Sequence, residues 1–183
     1  WWFDMWGNWF DDPALMTELE TAQRLATSLM AGPPEAKAFA PQMAVFSYEE
    51  LCFHDSTFGG LAGPLLANRL SLGRMGCPYL HFLRSDMTQA FSTSFKCVWL
   101  LGWPSIEAEQ TLLRKWSEAG IGLLWTDQHT TRLLPAGNKD WIEVCAGVSL
   151  DASLLGNLVA RCGVHRFLDT GDIVYAGNGL LAI

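Results

Sequence analysis

The sequence predicts an α/β fold in which an open parallel sheet carries helices on both faces. Two observations predict it. Segments of strand length are apolar at nearly every position, as in MAVFSY at 43–48 and CVWLLGW at 97–103, which is typical of strands buried on both faces. Segments with a helical spacing of apolar residues separate these strands, and that alternation favours parallel strands joined by right-handed crossovers. We therefore expect a flavodoxin-like domain.

A helix is predicted in an appendage that precedes this domain. Asp12 is placed as the N-cap of the helix, Pro13 takes the first helical position, and Gly32 with the two prolines that follow it ends the helix. Apolar residues recur between these signals at helical spacing, at Leu15, Leu19, Ala22, Ala26 and Leu29. The predicted parts are the appendage, a linker and the flavodoxin-like domain, at 1–31, 32–42 and 43–183.

Strand and helix patterns then alternate along the domain. Gly76 and Gly120 stand just past the ends of two predicted helices, and Glu107 lies near the N-terminus of the second, where it complements the helix dipole. A polar loop is expected from 127 to 140. The predicted strands are 43–48, 78–83, 97–103, 121–126, 141–145, 164–168 and 172–176, and the predicted helices are 63–76, 105–120 and 149–163.

The charge and cysteine patterns exclude several classes of function. The net charge is −7 and the 12 Lys and Arg residues are scattered almost singly, so no basic stripe could neutralise nucleic-acid phosphates. The longest apolar runs are too short to span a membrane. The five cysteines form no CxxC pair and are odd in number, which argues against a disulfide framework or a zinc site and favours a reducing, cytoplasmic setting. No cofactor is implied.

Three stretches carry a resemblance to a known family. The first, WWFDMWGNWFDDPALM, resembles the end of the catalytic (β/α)₈ barrel in β-galactosidase-like glycoside hydrolases of family 42. The second, RLSLGRMGCPYLHFLRSDM, resembles an early helix–strand step of the β-galactosidase trimerisation domain that follows this barrel, and the third, GVHRFLDTGDIVYAGNGLLAI, is similar to the end of that domain. Their order and spacing cover nearly the whole chain.

The resemblance implies a flavodoxin-like domain related to class I glutamine amidotransferases. It also implies that residues 1–31 are the last strand and helix of a barrel whose other strands lie upstream of Trp1. Six aromatic rings within the first ten residues would then pack against that barrel. On the family pattern, Trp2, Asp4 and Trp6 lie near its sugar-binding mouth; the alternative is that these side chains only pack in a core or interface.

Catalysis by this chain alone is not expected. The family's acid/base and nucleophile are glutamates on earlier barrel strands without a counterpart here, and retaining hydrolysis needs two carboxyl groups about 5 Å apart. An amidotransferase needs a cysteine on a strained strand-to-helix turn. Cys162 is the closest candidate, but it falls at the C-terminal end of its predicted helix, where the helix dipole is expected to raise the thiol pKa.

Polar residues at the predicted strand ends form the other candidate site. The carboxyl ends of parallel strands are where such sheets bind ligands. They present Glu49, Glu50, Arg84, Asp86, Asp127 and His129, which either line a small-molecule pocket or serve as helix caps and solvated loop ends. No metal site is expected: Cys52, His54 and Asp55 are close in sequence, but side chains two residues apart share a face only if the strand stays extended.

Three functions remain open on the sequence alone. The resemblance favours a non-catalytic assembly domain that self-associates, as a trimer in the family, and meets galactosides only through the parent enzyme. The second is a carbohydrate-binding remnant that stacks sugars on exposed tryptophans. The third is an enzyme in its own right with chemistry at the strand ends, or else an amidotransferase-like domain without the nucleophile that binds a small molecule.

Overall fold

A computed structural model describes residues 12–32, 40–48, 50, 62–88, 95–127, 129–177 and 180–182. The chain divides into two compact units, Trp1–Phe39 with Ala176–Leu181, and Ala40–Tyr175 with Ala182–Ile183.

Helix α1, Pro13–Ala31, is the described helix of the first unit. The predicted capping is confirmed: the carboxylate of Asp12 accepts a hydrogen bond from the backbone N–H of Ala14 at 2.8 Å, and proline takes the first position. At the other end, the N–H of Gly32 donates to the carbonyl of Leu29 at 3.2 Å. None of the residues of α1 is buried within this chain.

The second unit is built on a six-stranded sheet. Its strands are β1 (Met43–Ser47), β2 (Tyr79–Leu83), β3 (Cys97–Leu101), β4 (Gly122–Thr126), β5 (Thr130–Leu134) and β6 (Ile142–Ala146). Its helices are α2 (Ala62–Arg74), α3 (Gln110–Glu118) and α4 (Ala152–Arg161), with a 3₁₀ turn at Arg84–Thr88. A separate two-stranded sheet, most of whose residues belong to the first unit, pairs β7 (Tyr175–Gly177) with β8 (Leu180–Ala182).

The strand order is β2-β1-β3-β4-β5-β6. The first four strands are parallel, in the flavodoxin-like order, so the predicted α/β class is confirmed. Strands β5 and β6 are antiparallel, which makes the sheet mostly rather than wholly parallel.

Three segments differ from the sequence prediction. The stretch 127–140, predicted as a polar loop, contains β5, because a tight turn after β4 returns the chain alongside it. The stretch 164–168, predicted as a strand, lies outside the sheets; there the N–H of Phe167 donates to the carbonyl of Gly76 at 2.7 Å. The prediction of a strand at 172–176 is correct only for its last residues, in β7.

Helices cover both faces of the sheet, as predicted. One face packs against α2 and α4 through Leu72, Leu155 and Leu158, and the other packs against α3 through Leu113 and Trp116. Every residue of β1 and β3 is buried between these layers. Buried Asn68 ties α2 to the segment before α4: its side chain donates to the carbonyl of Val148 and accepts from the N–H of Leu150.

Helix α4 approaches the sheet closely at a glycine. Gly122 pairs with Cys97 across β4 and β3, and a Cβ at Gly122 would overlap the sulfur of Cys162 and lie 2.8 Å from its Cβ. The Cys97 and Cys162 thiols are hydrogen-bonded, which with burial raises the pKa of Cys97. The hydrogen bond from Cys97 lowers the pKa of Cys162, which is opposite in direction to the effect expected of the helix dipole.

Replacing Gly122 by alanine should lower the free energy of unfolding by about 1–3 kcal/mol, because the added methyl group pushes Cys162 and the end of α4 off the sheet. Urea unfolding followed by circular dichroism measures the change. The matched control is Gly73→Ala in α2, where the new Cβ would meet only Ile173 Cγ1 at 3.9 Å. This control should keep or slightly raise the stability. An unchanged midpoint for Gly122→Ala would contradict the packing described.

Candidate functional site

The strand order defines where a ligand crevice is expected. From β1 the chain crosses to β2 over the face of α2, and from β3 it crosses to β4 over the face of α3. The connections therefore diverge between β1 and β3. In open α/β sheets, ligands bind outside the carboxyl ends of the strands at this switch point.

An indole fills this crevice. Trp103 follows β3 directly, is fully buried, and donates from Nε1 to the carbonyl of Phe46 near the end of β1 at 3.1 Å. The ring of Tyr48 lies edge-on to it at a centroid distance of 5.2 Å. Trp125 Nε1 donates to the carbonyl of Trp103 at 2.8 Å. The switch point is thus occupied by the protein's own side chains.

Arg84 lies over the rings of Tyr48 and Trp103 and forms ion pairs with two carboxylates. Its guanidinium contacts Glu50 Oε1 at 2.9 Å and Glu109 Oε1 at 3.0 Å. The same group lies 4.9 Å from the ring centroid of Tyr48 and 5.9 Å from that of Trp103. Glu50 and Arg84, both predicted at strand ends, are therefore brought together, and Glu109 joins them from just before α3.

Two more of the predicted strand-end residues, Asp86 and Asp127, stabilise turns through hydrogen bonds from the backbone. Asp86 accepts the backbone N–H of Leu83 at 2.8 Å, at the entry to the 3₁₀ turn. Asp127 Oδ1 accepts the backbone N–H groups of His129 at 2.6 Å and Thr130 at 2.7 Å, which closes the turn into β5. The side chain of His129 points outward at an exposed position.

Asp127 is electrostatically stabilised in its charged form. Burial acts to raise its pKa, but the backbone hydrogen bonds from His129 and Thr130 and the charge of Arg132 lower the pKa overall. The nearest Arg132 nitrogen is 3.6 Å from Asp127 Oδ2. Such a carboxylate fixes a turn, and it is not poised to donate a proton.

Among the described strand-end residues, Asp86 and Asp127 lie apart from each other. Asp86 follows β2 and Asp127 follows β4, and three strand spacings of about 4.8 Å separate them. Several sequence-predicted positions lie outside the described residues: Trp2, Asp4 and Trp6, Glu49, and the set Cys52, His54 and Asp55.

A serine–histidine pair was missed by the sequence reasoning. Ser47 Oγ and His81 Nε2 are 2.7 Å apart, on neighbouring strands β1 and β2. Burial lowers the pKa of His81, which favours a neutral ring able to accept the hydroxyl proton. Ser47 is only 9% exposed, and no carboxylate of the described residues is hydrogen-bonded to the other nitrogen of His81. The pair therefore ties two strands together, and the described part of the chain supplies it with no third member of a hydrolytic triad.

The described residues contain neither a candidate metal site nor a helix that could span a membrane. Across the described ranges, no three His, Cys, Asp or Glu side chains are grouped so that they could hold a metal ion. None of the helices in the described part of the chain has the length and apolar character needed to cross a membrane.

Comparisons of the chain with models of protein families, with curated proteins and with solved structures give no match.

Changing Asp127 to asparagine should lower the free energy of unfolding at neutral pH by about 1 kcal/mol, because the turn keeps an oxygen acceptor but loses its charge. The native pKa of Asp127 lies below its usual 3.8. Its stabilisation is therefore complete above the unfolded-state pKa and is lost as the pH falls through the native pKa. Urea unfolding at a series of pH values should show the two proteins converging in acid.

Asp140→Asn is the control for this experiment. Asp140 is exposed in the loop between β5 and β6, so its replacement should leave the free energy of unfolding unchanged. A constant difference between Asp127→Asn and the wild type across the whole pH range would contradict the electrostatic account.

Proposed function

We propose that this chain is a non-catalytic assembly domain of a β-galactosidase-like glycoside hydrolase, which self-associates and supports an active site carried by a barrel outside the described residues. The family part of the proposal is supported by the three sequence stretches that resemble the barrel end and the trimerisation domain. The flavodoxin-like order of the parallel strands is consistent with it.

The observation that carries the assembly role is an exposed apolar stripe beside α2. Leu66 and Leu70, one helical turn apart, are 52% and 61% exposed. Ile173 packs along the same side of the helix, since its Cγ1 would lie 3.9 Å from a Cβ on Gly73. Val174 is buried while Ile173 and Tyr175 on either side of it are exposed, so these two side chains face outward together. Contiguous apolar side chains of this kind mark protein interfaces.

Strand β2 presents further exposed apolar side chains, Leu83 on the α2 side of the sheet and Leu80 on the opposite side. In the described sheet β2 is an edge strand, and its Leu80 and Leu83 are exposed. An edge strand offers backbone donors and acceptors to a second chain, and exposed leucines next to it favour such pairing. A second copy of this chain would cover both the stripe and the edge.

The strand-end crevice supports a non-catalytic role. Trp103 fills the switch point, and the guanidinium of Arg84 lies between Glu50 and Glu109. Two carboxyl groups that flank a guanidinium leave no room for a sugar between them, as glycoside hydrolysis requires.

Light scattering over a range of protein concentrations tests the assembly role. The wild type should reach the mass of an oligomer, a trimer on the family pattern, and the double variant Leu66→Glu, Leu70→Glu should remain monomeric, because two desolvated carboxylates oppose the contact. Ile142→Glu, at a 47% exposed position on β6, is the matched control and should assemble as the wild type does.

A wild type that stays monomeric at the highest concentration would overturn the assembly role. Dissociation caused equally by Ile142→Glu would overturn the assignment of the interface to the stripe. In parallel, incubation with an aryl galactoside should release no phenol, and enzyme-like release by the purified chain would rule out the non-catalytic role.

A further inference from the structure

A groove of about 470 Å³ lies on the α3 side of the sheet, between α3 and the loop that joins β5 to β6. This volume is in the range of small-molecule sites. Leu113 and Leu134 form its apolar floor, Trp141 forms one wall, and Gln110, Arg114 and Lys139 stand at its rim. The groove is separate from the filled crevice at the switch point.

Hydrogen bonds hold the two sides of the groove together. Ser117 Oγ of α3 donates to the carbonyl of Asn138 at 3.2 Å, and the N–H of Gly137 donates to the carbonyl of Ser117 at 3.0 Å. Gly137 has a φ of +74°, a conformation that favours glycine and lets the loop turn back toward the helix. A groove fixed in this way needs little ordering when a ligand binds.

The aromatic wall is fixed as well. Trp141 packs edge-to-face on Trp125 with ring centroids 5.9 Å apart. Trp125 in turn donates to the carbonyl of Trp103, and the guanidinium of Arg132 lies 4.7 Å from its ring centroid. Trp141 itself is only partly buried. It therefore offers a rigid, flat apolar surface to a ligand.

The charged side chains that line the groove favour an anionic ligand. Arg114 of α3 and Lys139 of the loop face it from opposite sides, and Glu118 is the one carboxylate that lines it. Neither cation is ion-paired with a carboxylate of the described residues. In a chain of net charge −7, two unpaired cations across one groove are suited to an anion.

We propose that this groove binds an anionic pyranose, such as a sugar acid or a sugar phosphate. The C–H face of the ring stacks on Trp141, and the carboxylate or phosphate lies between Arg114 and Lys139. Gln110 and Glu118 hydrogen-bond the hydroxyl groups. A purely aromatic anion would leave these two polar side chains unmatched, which lowers its affinity. The proposal does not depend on the assembly role, because the groove lies on the face opposite α2.

Titration at low ionic strength tests the site, with glucuronate, glucose 6-phosphate and neutral glucose as probes and calorimetry as the readout. One or both anionic sugars should bind at least about tenfold more tightly than glucose, and added salt should reduce that ratio. The two anions distinguish a carboxylate ligand from a phosphate ligand. Equal binding of glucose, or no saturable binding of either anion, would overturn the proposal.

Variants locate the site. Arg114→Gln and Lys139→Gln should each weaken binding of the anionic sugar about tenfold and leave the weak binding of glucose unchanged. Trp141→Ala should weaken binding of all three probes, whereas Trp141→Phe should retain most of it. Lys115→Gln is the matched control, since Lys115 is exposed on the same helix but does not line the groove, and it should bind as the wild type does.

Circular dichroism shows whether Trp141→Ala is folded. If it is not, the exposed rim variants decide the question, because Arg114 and Lys139 lie on the surface and tolerate substitution. Anion affinity unchanged in both Arg114→Gln and Lys139→Gln, or reduced equally in Lys115→Gln, would overturn the assignment to this groove.

Discussion

The complete burial of the two central strands is the constraint on which the rest of this structure depends. Every residue of β1 and β3 is enclosed, so helices must cover both faces, and each polar group there must find a partner inside the protein. Trp99 Nε1 donates to Thr126 Oγ1 at 2.9 Å, Thr126 contacts Thr131 at 2.9 Å, and Thr131 donates to the carbonyl of Gly147. This chain of hydrogen bonds links β3 to β4, to β5 and to the segment after β6. Among the described residues, every buried side-chain nitrogen and oxygen has a partner.

The same demand for burial explains why the usual ligand crevice is filled. A parallel sheet of this order leaves an opening where its connections diverge, and Trp103 closes it with an indole whose N–H is satisfied by Phe46. Arg84 then lies over the aromatic rings and is neutralised by two carboxylates. The surfaces for which we propose recognition therefore lie away from the strand ends, at the α2 stripe on one face and the α3 groove on the other.

Much of the fold could be predicted from the sequence, and the exceptions have a common physical cause. Strands β1, β3 and β4 were recognisable because burial on both faces makes them uniformly apolar. Strand β5 was missed because Thr130, Thr131 and Arg132 look like loop residues, although Thr131 is buried and bonded to Thr126 across the sheet. Two contacts depend in the same way on which segments are neighbours in the fold. They are the hydrogen bond between Ser47 and His81 and the ion pair between Glu109 and Arg84. Residue patterns report burial along one segment, and partners from other segments appear only once register and topology are known.

The alkylation rates of two cysteines, Cys97 and Cys145, depend on how often the sheet opens. Cys97 is fully enclosed under the end of α4, whereas Cys145 on β6 is only partly buried, and both are free thiols. An alkylating reagent can reach Cys97 only when α4 lifts away or β3 separates from its neighbours. The ratio of the two alkylation rates therefore compares transient opening at the centre of the molecule with opening at its periphery, without any introduced label.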